Sequence, residues 1–269
     1  MRILVTGGAG YLGSELRRQA PDALATWHRT PLPGGLRLDV RDEDAVMRCF
    51  LKHGPDAVIH TAYAMGDEET IVRGSANVAL AAHRAGARLV HLSTDLVFDG
   101  EQGAPYSEDD EPRPVMSYGQ HKLDAERLVA RAHPDALIVR TSLLLGPPDG
   151  PQEALARRDD VEFYEDEIRT PLRVRDLAGA LLELARRDLG GILHVAGRRP
   201  SPAPTSPPAC AEPPSAPGGA PGRVARGTWR STRPGPRRCY TPLTIFDRQF
   251  GEMGPAGPFF FEMRTVRAR

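Results

Sequence analysis

Residues 3–13 read Ile3-Leu4-Val5-Thr6-Gly7-Gly8-Ala9-Gly10-Tyr11-Leu12-Gly13. A short, unalternating apolar run passes directly into a glycine loop, and the loop opens a segment of helical spacing. Gly7 permits the tight turn, Gly10 lets the backbone approach a pyrophosphate, and Gly13 lets the helix pack closely on the strand. Phosphates then lie at the helix N-terminus, where free N–H groups and the helix dipole favour negative charge. Three glycines alone are a weak signal. Placed at the first turn of a strand–helix alternation, they predict a dinucleotide site.

Working outward, strand-like runs at 3–6, 23–27, 36–38, 57–60, 88–92, 136–140 and 192–195 alternate with helical patterns at 11–19, 43–52, 69–85, 118–132 and 174–186. Several runs are apolar throughout, as parallel strands buried on both faces must be. Gly54 and Gly86 stand where helix C-caps fall, and Pro55 is a stop signal. The pattern predicts an α/β fold, a Rossmann-type doubly wound parallel sheet of about seven strands. No internal repeat is found.

The chain has 269 residues and no net charge, yet two kinds of polypeptide meet near Gly197. Residues 198–269 carry twelve arginines, no lysine and four acids, a net of +8, which leaves −8 for residues 1–197. Fourteen of the 26 prolines also lie in that tail. The domain reading is therefore a nucleotide-binding unit over 1–197, with insertions forming a small, incomplete substrate lobe, followed by a Pro/Arg-rich tail over 198–269. Residues 200–221, with nine prolines, are expected to form no packed element. Three scattered cysteines make neither a disulfide framework nor a metal cluster. No stretch approaches the length of a membrane span, and the N-terminus lacks the pattern of a secretory leader. A cytoplasmic protein without membrane or nucleic-acid partners is expected; no oligomeric state is read.

An NAD-type site usually carries an acid at the end of the second strand, where it binds ribose hydroxyls. Here the segment is Ala25-Thr26-Trp27-His28-Arg29. The acid is missing, and His28 and Arg29 favour the 2′-phosphate of NADP(H), with NAD(H) the alternative. Asp39 and Val40 follow the third strand, where adenine is contacted. Ala62, Tyr63 and Ala64 follow the fourth, where small residues let backbone lie along a cofactor.

Tyr118 and Lys122 stand one helical turn apart and face the same way. With six tyrosines and two lysines in the chain, chance seldom places this spacing in the right element. A phenol with a pKa of about 10 moves protons poorly at neutral pH; a neighbouring ammonium and an oxidised nicotinamide would pull it down. Lys122 can also donate to ribose hydroxyls. Ser93-Thr94-Asp95 ends the fifth strand at the carboxyl edge, where the Thr94 hydroxyl can hold a substrate carbonyl beside Tyr118.

Together, Thr-Gly-x-x-Gly-x-x-Gly, Ser-Thr-Asp and Tyr-x-x-x-Lys resemble an extended short-chain dehydrogenase/reductase. The stretches at 89–100, 106–110 and 118–126 resemble the dTDP-4-dehydrorhamnose reductase branch, which reduces a 4-keto-6-deoxy sugar nucleotide. The resemblance runs from Met1 to about Gly197. It implies catalytic roles for Thr94, Tyr118 and Lys122, and a cofactor lined by Gly7, Gly10, Tyr11, Leu12, Gly13, Asp39, Val40, Ala62, Tyr63, Ala64 and Leu92. Asp95 would lie near the substrate. Where the family commonly has Arg-Thr-Ser-Trp, this chain has Arg140-Thr141-Ser142-Leu143, so Leu143 replaces a stacking contact at the sugar.

Lesser features have plainer readings. The acids at 108–111 fit a solvated loop, and His60 and His91 fit satisfied core histidines. Arg140 either meets substrate phosphate or ends a strand; Asn77 either bonds a buried backbone group near the site or lies on the surface. Beside the reductase stand two other readings of the scaffold. One is a non-catalytic NADP-binding partner protein, like the regulatory subunit of methionine adenosyltransferase; the other is a sugar-nucleotide epimerase or dehydratase. For the tail, an out-of-frame translation of a lost substrate lobe is favoured over a native disordered tail and over an Arg-rich nucleic-acid arm. Reading the coding DNA in the other two frames tests this. An amphipathic helix restored after Gly197 is the expected result; its absence from both frames makes the tail native.

Overall fold

Ile3 and Val5 pack on one side of the first strand and Leu4 on the other, and all three are buried. A strand apolar on both faces requires a cover on both faces. The computed structural model, which describes residues 1–147, 150–158, 167–197 and 201–202, supplies two. The first half of the chain runs β1 (Ile3–Thr6), α1 (Tyr11–Gln19), β2 (Leu24–Trp27), β3 (Leu36–Arg37), α2 (Glu43–His53), β4 (Ala57–His60), α3 (Glu68–Ile71), α4 (Arg73–Arg84) and β5 (Arg88–Thr94). After a 3-10 turn at Asp95–Val97 come α5 (Ser117–Ala132), β6 (Leu137–Thr141), β7 (Leu144–Leu145), α6 (Pro151–Ala156), β8 (Ile168–Arg169), β9 (Leu172–Arg173), α7 (Val174–Leu184), β10 (Gly191–Val195) and β11 (Ser201–Pro202).

Seven strands form one sheet in the order β10-β6-β5-β4-β1-β2-β3, with every pairing parallel. Leu12 and Leu16 of α1 and Leu177 and Leu181 of α7 cover the face of Ile3, Val5, Ile59, Val90 and Val139. Phe50 of α2, Val78 and Ala82 of α4 and Val129 of α5 cover that of Leu4, Val58, Leu89 and Ile138. The chain steps outward from β1 to β3, then returns to β4 on the other side of β1. This reversal opens a crevice at the carboxyl ends of β1 and β4, the place where doubly wound sheets bind ligands.

The expected elements are present, with two corrections. The single helix expected at 69–85 is broken at Val72. Ser75 Oγ donates to the Ile71 carbonyl at 2.6 Å, a back-bond that bends helices. Val40 also fills the space where a side chain at Gly74 would stand. The second correction concerns residues 200–221, of which Ser201 and Pro202 form β11, antiparallel to β8. The rest of that segment, and all other tail expectations, lie outside the described residues. The acids at 108–111 are less solvated than expected: Glu108 accepts from the backbone N–H of His194 at 2.9 Å.

His60 and His91 pair in register across β4 and β5 and stack with centroids 5.3 Å apart. His60 is satisfied. Because Ser75 gives its proton to Ile71, His60 Nε2 donates to Ser75 Oγ at 3.1 Å, and Nδ1 accepts from Thr6 at 2.6 Å. His91 differs from its expectation: neither ring nitrogen has a partner among the described residues. Burial lowers the His60 pKa to about 3, aided by Lys122, and burial with Lys122 and His60 drives His91 well below its ordinary value. The unfolded chain therefore binds more protons than the folded one below about pH 6.5, so stability falls as pH falls through that window. Each histidine forfeits on the order of 2 kcal/mol between pH 6.5 and 5. Urea unfolding of His91→Leu should show a pH 7 stability within about 1 kcal/mol of wild type and a shallower loss toward pH 5; an unchanged slope would contradict the assignment.

Candidate active site

One stripe of α5 builds the site. Tyr118, Lys122 and Glu126 follow at four-residue spacing, so they share a face, and that face lies on β5 and β6. Gly119 makes the approach close: a Cβ there would stand 2.0 Å from the Leu96 carbonyl oxygen. The helix thus abuts the turn that follows Thr94. Lys122 Nζ donates to the Leu92 carbonyl at 2.6 Å. Glu126 accepts from Ser93 Oγ and takes Arg140 through both oxygens, Nε at 3.1 and 3.3 Å and Nη2 at 2.8 Å. Arg140 and Glu126 are both buried, so each satisfies a charge that would otherwise be stranded. Arg140 is therefore committed to Glu126 rather than presented to a substrate phosphate, and its guanidinium also lies 5.1 Å from the Phe98 ring centroid.

Thr94 ends β5, pairs in register with Thr141 and is 7% exposed. Its Oγ1 accepts from Leu96 N and donates to Asp95 Oδ1, both at 3.2 Å. The Tyr118 phenol is pushed up, by burial first, then by Tyr63 and Asp95, while Arg169 pulls it down. The cation opposing that rise is therefore Arg169, where the sequence pointed to Lys122. Burial lowers Lys122 itself to about 8, against Glu126.

The glycine loop meets this centre through Ala62. Gly7 has φ +72°, and a side chain there would stand 2.8 Å from Ala62 Cα. A Cβ at Gly13 would lie 2.1 Å from the Gly7 carbonyl oxygen, so the helix packs on the loop as its spacing predicts. Helix α1 starts at Gly10 with no side-chain cap and no acid in its first turn. That vacant positive end fits a phosphate. Tyr63, 54% exposed, lies 6.3 Å ring to ring from Tyr118. Tyr11 packs against Gly146 and Gly150, whereas the Leu12 side chain belongs to the core and leaves only its backbone for a ligand.

At the other end of the crevice, His28 and Asp39 come within 3.3 Å. Arg41, unremarked in the sequence, holds both Asp39 oxygens, Nη2 at 2.7 Å. That contact, with a lesser contribution from His28, lowers the Asp39 carboxyl to about 2. Arg29 is within 3.8 Å of Asp67. Asn77 donates to the Val40 and Arg41 carbonyls at 3.0 and 3.1 Å, which decides between its two readings for the buried-backbone one. The basic groups His28 and Arg29 beside an uncapped helix start suit an anionic dinucleotide, including a 2′-phosphate.

Sequence reading missed Arg169. It lies in β8, 5% exposed, and grips Asp95 with Nε on Oδ2 at 2.8 Å and Nη2 on Oδ1. Its neighbour Thr170 donates from its backbone N–H to Ser142 Oγ at 3.2 Å, and Leu172 N donates to the Leu143 carbonyl at 3.0 Å. Leu143 thus sits in the seam between the large sheet and the β7–β9 lobe. The sequence context of Arg169, a short run between acids and a proline, carries no periodic signal. No group of residues suited to a metal occurs among the described residues, and no helix there is long and apolar enough to cross a membrane.

Comparisons with known proteins agree with this arrangement. The family model described as the RmlD substrate binding domain matches residues 1–202, continuing past Gly197 through β11. A dTDP-4-dehydrorhamnose reductase of Mycolicibacterium smegmatis is 35% identical, the match covering 90% of this chain and 78% of the relative. Methionine adenosyltransferase 2 subunit beta of Danio rerio is 33% identical, over 73% of this chain and 69% of the relative. The crystal structure of dTDP-4-dehydrorhamnose reductase from Bacillus anthracis in complex with NADP superposes with a TM-score of 0.64 at 28% identity, covering 75% of this chain and 76% of the other. The chain belongs to the RmlD substrate binding domain family, within the extended short-chain dehydrogenase/reductases.

Proposed function

We propose that the protein is an NADP(H)-preferring reductase of a nucleotide-linked 4-keto-6-deoxy sugar. The observation that carries this reading is the α5 stripe, which sets a half-buried tyrosine and a buried lysine against the Ser93-Thr94-Asp95 edge of β5, beside a glycine cradle. The M. smegmatis and B. anthracis relatives support the substrate class, and the NADP in the latter structure supports the cofactor. Gly7, Gly10 and Gly13, with the backbone of Tyr11 and Leu12, would hold the diphosphate. His28 and Arg29 would take the 2′-phosphate and Asp39 and Val40 the adenine side. Ala62, Tyr63, Ala64 and Leu92 would flank the nicotinamide half.

When bound, the reduced nicotinamide supplies a hydride to the keto carbon. Tyr118 supplies the proton to the carbonyl oxygen. The phenol is protonated through the neutral range, the form a general acid needs, and Arg169 opposes the burial that makes it a weaker acid. Lys122 keeps donors beyond the one used on Leu92, and these suit the ribose hydroxyls. Thr94 would accept from a sugar hydroxyl beside the keto carbon, and Asp95 and Leu143 would complete the sugar side. A second reading, a non-catalytic NADP-binding partner protein, draws on Leu143 and on the D. rerio relative.

The test is NADPH oxidation by the full chain with a 4-keto-6-deoxy sugar nucleotide. Tyr118→Phe should lower kcat/KM by about 10²–10⁴-fold while NADPH binding holds within a few-fold. As Lys122 loses its proton near pH 8, kcat/KM should fall above that pH, and Lys122→Met should abolish the descending limb. A folded, cofactor-binding protein that turns over no keto sugar, yet captures an enzyme partner at one-to-one stoichiometry, establishes the second reading instead.

A further inference from the structure

We propose that Arg169 is a positioning residue for this site: by its two-pronged grip on Asp95 it fixes the Thr94 hydroxyl and ties the β8 segment to the catalytic edge of β5. The inference rests on the reductase reading above and adds to it a residue from the substrate side.

The geometry is a chain of three groups. Arg169 Nε donates to Asp95 Oδ2 at 2.8 Å, and Nη2 donates to Oδ1. Oδ1 also accepts the Thr94 hydroxyl at 3.2 Å. A carboxylate held by a guanidinium on both oxygens can only accept, so the single Thr94 proton points at Asp95. With Leu96 N–H taking one lone pair at 3.2 Å, Thr94 meets the substrate with its remaining lone pair. Thr94 thus receives a sugar hydroxyl, and Tyr118 is left as the donor to the keto oxygen.

Two features mark this pair as placed rather than incidental. Both side chains are almost wholly buried, 6% and 0% exposed, although they lie 74 residues apart in sequence. A buried pair of this kind is held only when its geometry is good and its other polar atoms are satisfied. Arg169 Nη1 is indeed satisfied, donating to Glu167 Oε1 at 3.0 Å. Lysine could not substitute, because the planar fork is what spans both oxygens. The pair also brackets the phenol electrostatically: Asp95 raises Tyr118 and Arg169 lowers it. With Arg169 gone, the Asp95 carboxylate would hold the phenol more firmly protonated, and the Thr94 hydroxyl would lose the fixed acceptor that orients it.

The experiment uses the full chain in four forms, wild type, Arg169→Met, Asp95→Asn and the double variant, each with a difluorinated tyrosine at 118 to bring the phenol into an accessible pH range. Fluorine NMR reads its ionisation with NADP⁺ bound. Arg169→Met should move that ionisation to higher pH, Asp95→Asn to lower pH, and the double variant back toward wild type. Turnover by unlabelled Arg169→Met should fall about a hundredfold, with NADPH affinity within a few-fold of wild type. Ionisation at the same pH in every form would overturn the inference, leaving Arg169 a strut of the fold. If Arg169→Met does not fold, Asp95→Asn alone decides, since an unmoved phenol there is equally contrary. Absence of keto-sugar turnover in wild type, with the ionisation shifts intact, would instead count against the reductase reading.

Discussion

The register of α5 on β5 is the constraint from which the rest of the site follows. Two contacts with main-chain carbonyls set it: Gly119 lies against Leu96 and Lys122 donates to Leu92. One side-chain clamp holds it, Glu126 on Ser93 and Arg140. A slip of one residue would turn the stripe of Tyr118, Lys122 and Glu126 away from the strand, leaving Arg140 as an unpaired buried cation. Such a stranded charge costs about 3–5 kcal/mol, so the clamp that stabilises the core also specifies where the phenol lies.

The crevice is assembled from parts on either side of that register. The return from β3 to β4 around β1 brings the glycine loop against Ala62, and Tyr63 follows within ring contact of Tyr118. Across the site, Arg169, Thr170 and Leu172 tie the lobe to Asp95, Ser142 and Leu143. The first seam is a close backbone approach and a ring contact, and the second is a set of hydrogen bonds to a carboxylate, a hydroxyl and a backbone carbonyl. The site therefore needs little rearrangement of its own residues to hold a dinucleotide beside a sugar.

Much of this was legible in the sequence because the signals are local. Ile3, Leu4 and Val5 declare a strand buried on both faces, and Tyr118 and Lys122 declare a helix face within five residues. What escaped notice was of two kinds. Glu126 continues the same stripe one turn on, but a glutamate in mid-helix has the composition of a solvent-facing residue until Arg140 is placed opposite it. Arg169 reaches Asp95 from a two-residue strand 74 residues away, and Arg41 reaches Asp39 within a turn; periodicity offers no sign of either. The break at Val72 has neither glycine nor proline at the break itself; beside it, Ser75 Oγ donates back to the Ile71 carbonyl. The Leu143 carbonyl accepts from Leu172 N, a contact across the small lobe that no local pattern announces.

The central claim, net transfer of hydride from cofactor to sugar, separates this account from both an epimerase and a binding protein on the same scaffold. Mass spectrometry of the sugar nucleotide after reaction with NADPH deuterated on the transferring face of the nicotinamide tests it most directly. The account predicts one deuterium on the former keto carbon, with one equivalent of NADP⁺ formed per sugar reduced. A sugar without deuterium, or one inverted at a centre with no net oxidation of NADPH, would contradict it.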